Sequence, residues 1–131
     1  YENTDIKKYE GVYINNKKNG YCIEFDINQQ KIFEGQFINN KKNGLGIILK
    51  NTEKIYEGYF INDLKSGYGK EYIQNKLYYD GLWLNNNKNG NGILYYFEPN
   101  TKYFEGLFKD NKKNGTGKLY YKNDTAILLL C

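Results

Sequence analysis

The chain has no histidine, no arginine and no methionine, and only one serine and one proline. Each absence removes a class of chemistry. Without histidine there is no His-based nucleophile pair, no imidazole general base and no common zinc site. The single serine, Ser66, stands in a stretch that reads as a turn. The two cysteines, Cys22 and Cys131, lie at opposite ends of the sequence. They support neither a metal cluster nor a disulfide framework, and they point to a reducing, intracellular setting. Every cation is a lysine, so no guanidinium offers bidentate contact to phosphate. No apolar run is long enough to cross a bilayer, and there is no signal-peptide pattern. The closing "AILLLC" is far too short for a span and reads as a last strand or a cap. Lacking methionine, the chain is expected to be a piece of a longer protein. No enzyme activity, cofactor or metal is expected of this segment.

What is abundant is aromatic and repeated. The chain holds 15 Tyr, 7 Phe, 1 Trp and 14 Gly in 131 residues. An aromatic–acid–glycine triplet occurs at Tyr9-Glu10-Gly11, Phe33-Glu34-Gly35, Tyr56-Glu57-Gly58, Tyr79-Asp80-Gly81 and Phe104-Glu105-Gly106, at steps of 24, 23, 23 and 25 residues. Two residues after each triplet comes another aromatic: Tyr13, Phe37, Phe60, Trp83 and Phe108. Nine residues after it comes a glycine, and two further on a second glycine in four copies, with Cys22 in that slot of the first. Cys22 therefore reads as a small packed residue. Self-similarity at a fixed short period marks a repeat array. The copies span 9–32, 33–55, 56–78, 79–103 and 104–121, with a partial preceding copy in 1–8 and a degenerate strand or cap in 122–131.

The spacing between the glycine sites is invariant, and all length variation falls after the second one. One tight turn and one loose connection per copy predict a β-hairpin followed by a loop. The tight turns are expected at "NNKKNG", "NDLKSG", "NNNKNG" and "DNKKNG", with Asn-Gly or Ser-Gly supplying positive φ. Side chains alternate along a strand, so the two aromatics and the glycine between them share one face. A ring can lie flat over glycine, where a Cβ would lift it. One hairpin cannot bury its face alone, but five stacked hairpins can. The expected fold is all-β: an elongated, twisted, single-layer antiparallel sheet of ten strands.

The stretches "YEGVYINNKKNGYC", "FEGQFINNKKNGLG", "YEGYFINDLKSGYG", "YDGLWLNNNKNGNG" and "FEGLFKDNKKNGTG" resemble MORN repeats (membrane occupation and recognition nexus). Five copies carry the likeness. The departures are Cys22 for glycine, Ser66 before the turn glycine and Asp80 for glutamate. The resemblance implies a scaffold that joins proteins, at times as a dimer, in cytoskeletal, ciliary or membrane-associated settings in the cytoplasm. It also implies a role as an appendage that positions a larger enzyme, and phosphoinositide binding has been attributed to the family.

Two surfaces are candidates for that role. The first is an aromatic groove of Tyr9, Tyr13, Phe33, Phe37, Tyr56, Phe60, Tyr79, Trp83, Phe104 and Phe108, expected to dock an extended peptide or a helix of a partner protein. The second is a lysine edge of Lys17, Lys18, Lys41, Lys42, Lys65, Lys88, Lys112 and Lys113, placed in the turns and able to touch acidic phospholipid. The row of Glu10, Glu34, Glu57, Asp80 and Glu105 does not read as a catalytic pair, because two carboxylates split their pKa values only in different environments. A net charge of +4 without arginine argues against nucleic acid. Unpaired strand edges at the ends of the array make a homodimer through those ends a further expectation.

Overall fold

The computed structural model describes residues 8–122 and, as backbone, 126–130. The expected partial copy in 1–8 and the position of Cys131 lie outside the described residues, apart from Lys8. Eleven strands form one antiparallel sheet in strict chain order, so every strand pairs with its sequence neighbours. They are β1 (Tyr9–Ile14), β2 (Lys17–Phe25), β3 (Lys31–Ile38), β4 (Lys41–Lys50), β5 (Glu53–Ile61), β6 (Leu64–Ile73), β7 (Lys76–Leu84), β8 (Asn87–Tyr95), β9 (Lys102–Lys109), β10 (Lys112–Tyr120) and β11 (Ala126–Leu130). The described residues contain no helix. The result is the expected open, twisted all-β repeat array, with an eleventh strand added beside β10.

The hairpin turns sit earlier than the sequence suggested. Their central pairs are Asn15-Asn16, Asn39-Asn40, Asn62-Asp63, Asn85-Asn86 and Asp110-Asn111, all with φ between 47° and 73°. Positive φ at both central residues gives a two-residue turn whose twist matches that of the strands. The Asn-Gly and Ser-Gly signal marks a different feature. Gly20, Gly44, Gly67, Gly90 and Gly115 do adopt positive φ, but inside the second strand of each hairpin. There the register slips: Phe37 faces Lys42 while Gly35 faces Gly46, so β4 carries two extra residues. Two extra residues preserve side-chain parity, and Lys42 and Gly46 stay on one face. Ser66 consequently lies in β6, buried, where its hydroxyl accepts the Asn85 N–H at 3.1 Å. The lysines also lie in strands and not on a turn edge.

The core is a single file of rings on one face. Phe33, Phe37, Tyr56, Phe60, Tyr79, Trp83, Phe104 and Phe108 are all buried. In the second to fifth repeats each second aromatic stands between the first aromatic of its own repeat and that of the repeat before. Phe60 meets Tyr56 at 5.3 Å and Phe33 at 5.5 Å, and Trp83 meets Tyr79 at 5.3 Å and Tyr56 at 5.4 Å. All these contacts are edge-to-face, the arrangement that ring quadrupoles favour. From the second repeat on, the first ring of each repeat lies on paired glycines, and a Cβ on Gly46 would come 2.5 Å from Phe33 Cζ. Polar tips are satisfied by backbone: Tyr56 and Tyr79 hydroxyls donate to the Tyr59 and Leu82 carbonyls at 3.0 and 2.8 Å, and Trp83 Nε1 to the Gly69 carbonyl at 3.1 Å.

Candidate functional site

The aromatic face is sealed. Of the ten rings expected to line a groove, eight are core, Tyr9 is half-buried, and only Tyr13 is largely exposed. The expectation of an exposed aromatic groove is corrected accordingly. Its physical reason is the two-sided stacking of each ring, which leaves no ring face for a ligand, and the lysines that cover what remains.

In every copy one lysine stands directly across the hairpin from the second aromatic: Lys18 from Tyr13, Lys42 from Phe37, Lys65 from Phe60, Lys88 from Trp83 and Lys113 from Phe108. Each ammonium rests over a ring, as Lys42 does over Phe33 at 4.8 Å and Lys65 over Tyr56 and Trp83 at 4.9 Å. Such a cation is held by the ring quadrupole while its stem covers apolar surface. Burial pulls the Lys65 ammonium below its ordinary pKa; Glu71 opposes that shift and Lys88 adds to it. Lys88 Nζ also lies 3.0 Å from Glu71 Oε1. Of the eight lysines expected to form an exposed edge, Lys17, Lys41 and Lys112 are exposed.

The other face of the sheet is different. Its centre line is formed by the residue between triplet glycine and second aromatic, paired with the residue between the two later glycines. The pairs are Tyr21 with Gln36, Leu45 with Tyr59, Tyr68 with Leu82, and Asn91 with Leu107. The six apolar and aromatic members of this stripe are 39–54% exposed. Between them run three open grooves with glycine floors. One of about 270 Å³ lies between Tyr21 and Leu45, one of about 240 Å³ between Tyr59 and Tyr68, and one of about 300 Å³ between Leu82 and Asn91. The glycines thus serve both faces: they admit the rings above and leave depressions below.

A row of carboxylates walls these grooves. Glu34 accepts the Tyr21 hydroxyl and Lys31 Nζ at 3.0 Å, and the Tyr21 bond, ahead of the lysine, holds the carboxyl below its ordinary range. Glu57 takes Lys54 Nζ at 2.8 Å. Asp80 accepts the Tyr68 hydroxyl, a bond that pushes the phenol up to about 12. Glu105 accepts the Tyr120 hydroxyl at 2.8 Å, which likewise lowers its carboxyl. Glu34 and Asp80 thus hold Tyr21 and Tyr68 at the groove walls, an arrangement suited to contact.

Sequence reasoning missed this stripe. Its positions vary from copy to copy, as in Val12, Gln36, Tyr59, Leu82 and Leu107, so they fall out of the repeat pattern. The signal that could have found it is the alternation itself: residues flanking each core ring must face the other way.

A protein-family model described as MORN repeat matches five segments of the chain, residues 9–28, 33–50, 56–77, 79–97 and 104–126. A comparison with curated proteins found no match.

Proposed function

We propose, from the premise that the chain belongs to the MORN repeat family, that it is a non-enzymatic module docking a partner protein along the Tyr–Leu stripe. Repeats of this family are generally protein- or membrane-interaction modules. The observation that carries the choice of face is the contrast in burial. The rings of one face are consumed in the core, while the stripe opposite leaves Leu45, Tyr59, Tyr68 and Leu82 in a contiguous exposed row. Exposed apolar rows rimmed by polar groups mark interaction sites.

The occupant follows from the geometry of the row. The grooves run across the strands, so a ligand in them cannot add a strand to the sheet. They repeat every two strand spacings, about 9.5 Å. A polyproline II segment advances about 9.3 Å per turn and drifts about 1 Å over four repeats. A straight helix advances about 10.5 Å in seven residues and drifts about 4 Å. The partner is therefore an extended, polyproline II-like segment with an apolar side chain every third residue and donors facing the carboxylate row.

Peptide selection against the immobilised chain, followed by NMR shift mapping of a selected peptide, tests this reading. Shifts centred on residues 45, 59, 68 and 82, with binding lost in Leu45→Asp and Leu82→Asp, are expected. Shifts confined to the lysine face would overturn it. Flotation with acidic phosphoinositide liposomes, abolished by Lys17→Glu, Lys41→Glu and Lys112→Glu together, would replace it with a membrane reading.

A further inference from the structure

The loose connections between repeats differ where the tight turns do not. After β4 and β6 they are the two-residue turns Asn51-Thr52 and Gln74-Asn75, each with both residues at positive φ. After β8 the chain instead runs through 96–101 before β9 begins. That loop is tied back on itself and on the preceding turn. The Tyr96 N–H donates to the Thr101 carbonyl at 2.8 Å. The Asn100 amide donates to the Tyr96 carbonyl at 3.1 Å and, across the repeat boundary, to the Leu77 carbonyl at 2.9 Å. Lys76 Nζ lies 4.4 Å from the centre of the Phe97 ring, donates to the Phe97 carbonyl at 3.4 Å and pairs with Glu98. Phe97 is thereby held as a wall, 46% exposed.

With Ile73, Leu77 and Tyr95 it bounds an apolar cup of about 340 Å³. Ligand pockets run from about 300 to 1,000 Å³, so a cup of this size takes one bulky side chain and not a folded element. The cup opens on the face of the Tyr–Leu stripe. Leu77 stands opposite Tyr72, whose ring carries Lys54, the partner of Glu57. Tyr95 follows Ile93 on the same side of β8, and Ile93 lines the groove between Leu82 and Asn91. Burial, ahead of the nearby Asp80 and Glu105, raises the Tyr95 phenol. These two carboxylates thus stand between the stripe and the cup. Glu105 has Lys102 at 3.4 Å. Asp80 makes no ion pair among the described residues, although Lys70 is its strand partner, and it accepts the Tyr68 hydroxyl.

The stripe alone does not fix where a periodic segment binds. Its grooves recur at one spacing, so a ligand matched to them keeps most of its contacts when shifted by one repeat. The Phe97 wall has no counterpart at the β4–β5 and β6–β7 turns and breaks that degeneracy. Resting on the docking reading above, we infer that the cup is the register site of the stripe: it takes one aromatic side chain of the partner segment, and a lysine or arginine just before that residue lies on Asp80. Tyr95 and Phe97 offer the ring edges and faces that an incoming ring pairs with. The path from Asn91 to Tyr95 is about 13 Å at the strand rise, and about four residues of extended partner cover it. The cation falls midway, over the carboxylate that has no ion pair.

The probes are labelled peptides with leucine at every third position in a proline background. Each is extended, at one end or the other, by lysine two residues and tryptophan four residues beyond the terminal leucine. Fluorescence anisotropy follows their titration with the full chain. The tryptophan peptide of one polarity is expected to bind at least about tenfold tighter than its alanine counterpart, as a buried aromatic anchor does. Phe97→Ala is expected to abolish that advantage, to leave the alanine peptide unaffected and to melt like the parent, because Phe97 belongs to an exposed loop. Asp80→Asn is expected to weaken the lysine peptide about threefold, the worth of an exposed ion pair, and a glutamine counterpart not at all. Equal affinity of the tryptophan and alanine peptides, or an advantage that survives Phe97→Ala, would overturn the assignment. The docking reading fails separately, through an alanine peptide that does not bind or is indifferent to Leu45→Asp. N-acetyltryptophanamide then decides for the cup alone: saturable NMR shifts centred on residues 73, 77, 95 and 97 uphold the ring site, and their absence overturns it.

Discussion

Tyr59 and Phe60 are neighbours in β5 and live in different environments. Phe60 is 3% exposed, wedged between two rings and facing Lys65 across the hairpin; Tyr59 is 46% exposed beside Leu45. The same division runs the length of the sheet. One face is closed by rings, glycines and lysine stems and holds the array together. The other is covered by nothing among the described residues and carries the residues that differ from copy to copy. A single-layer sheet has no second sheet to bury its far face, so the two tasks of folding and contact separate cleanly by strand parity.

The largest effect that can break this comparison is a matched pair of truncations. Phe60→Ala is expected to cost about 3–5 kcal/mol, as removal of a buried ring does. Tyr59→Ala, one residue away, is expected to stay within about 0.5 kcal/mol, the range of an exposed substitution. Urea denaturation of the two variants measures both. Equal losses would mean that the far face is also structural, and the division would fail.

The repeat pattern contains most of the fold because nearly every invariant position is a joint. The two aromatics, the glycines and the lysine all lie on or against the core file, and the hairpin count follows from the copy number. Two things were not legible. The turn was read at Asn-Gly, one feature too late, because Asn-Asn and Asn-Gly tolerate positive φ alike and nothing in the spacing announces a two-residue bulge. The ring row was read as exposed because alternation assigns a face but not its depth. Depth depends on the ring of the preceding repeat closing on each second aromatic, 27 residues back from Phe60 to Phe33 in sequence.

A smaller effect sharpens the claim that glycine serves the sealed face by sterics. Gly46→Ala places a Cβ 2.5 Å from Phe33 Cζ, and that ring cannot lift because Phe37 and Phe60 hold it edge-on at 5.4 and 5.5 Å. The expected cost is about 1–3 kcal/mol, typical of an overpacked core. The cause is tested by coupling. In a Phe33→Leu background the ring is gone, and the cost of Gly46→Ala is expected to shrink by about 1 kcal/mol or more. Additive losses in the double variant would show that the glycine is needed for its backbone and not for the space it leaves.

The smallest effect belongs to the open face and is read through pH. The Tyr21–Glu34 bond lowers the Glu34 carboxyl and raises the Tyr21 phenol, two expressions of one interaction that count once. A depressed carboxyl contributes stability above its unfolded pKa near 4.5, lost as pH falls through the folded value. A raised phenol contributes below its unfolded pKa near 10, lost as pH rises through the folded value. The bond therefore stabilises across a plateau from about pH 5 to 9. Its worth is under about 1 kcal/mol, because both groups are in reach of water. Tyr21→Phe is expected to remove it, with the difference from the parent in urea midpoint constant over that plateau and shrinking as the pH falls below it. A difference that persists undiminished at pH 3 would assign the loss to packing of the Tyr21 ring against the stripe, and the carboxylate row would then have no part in setting the groove wall.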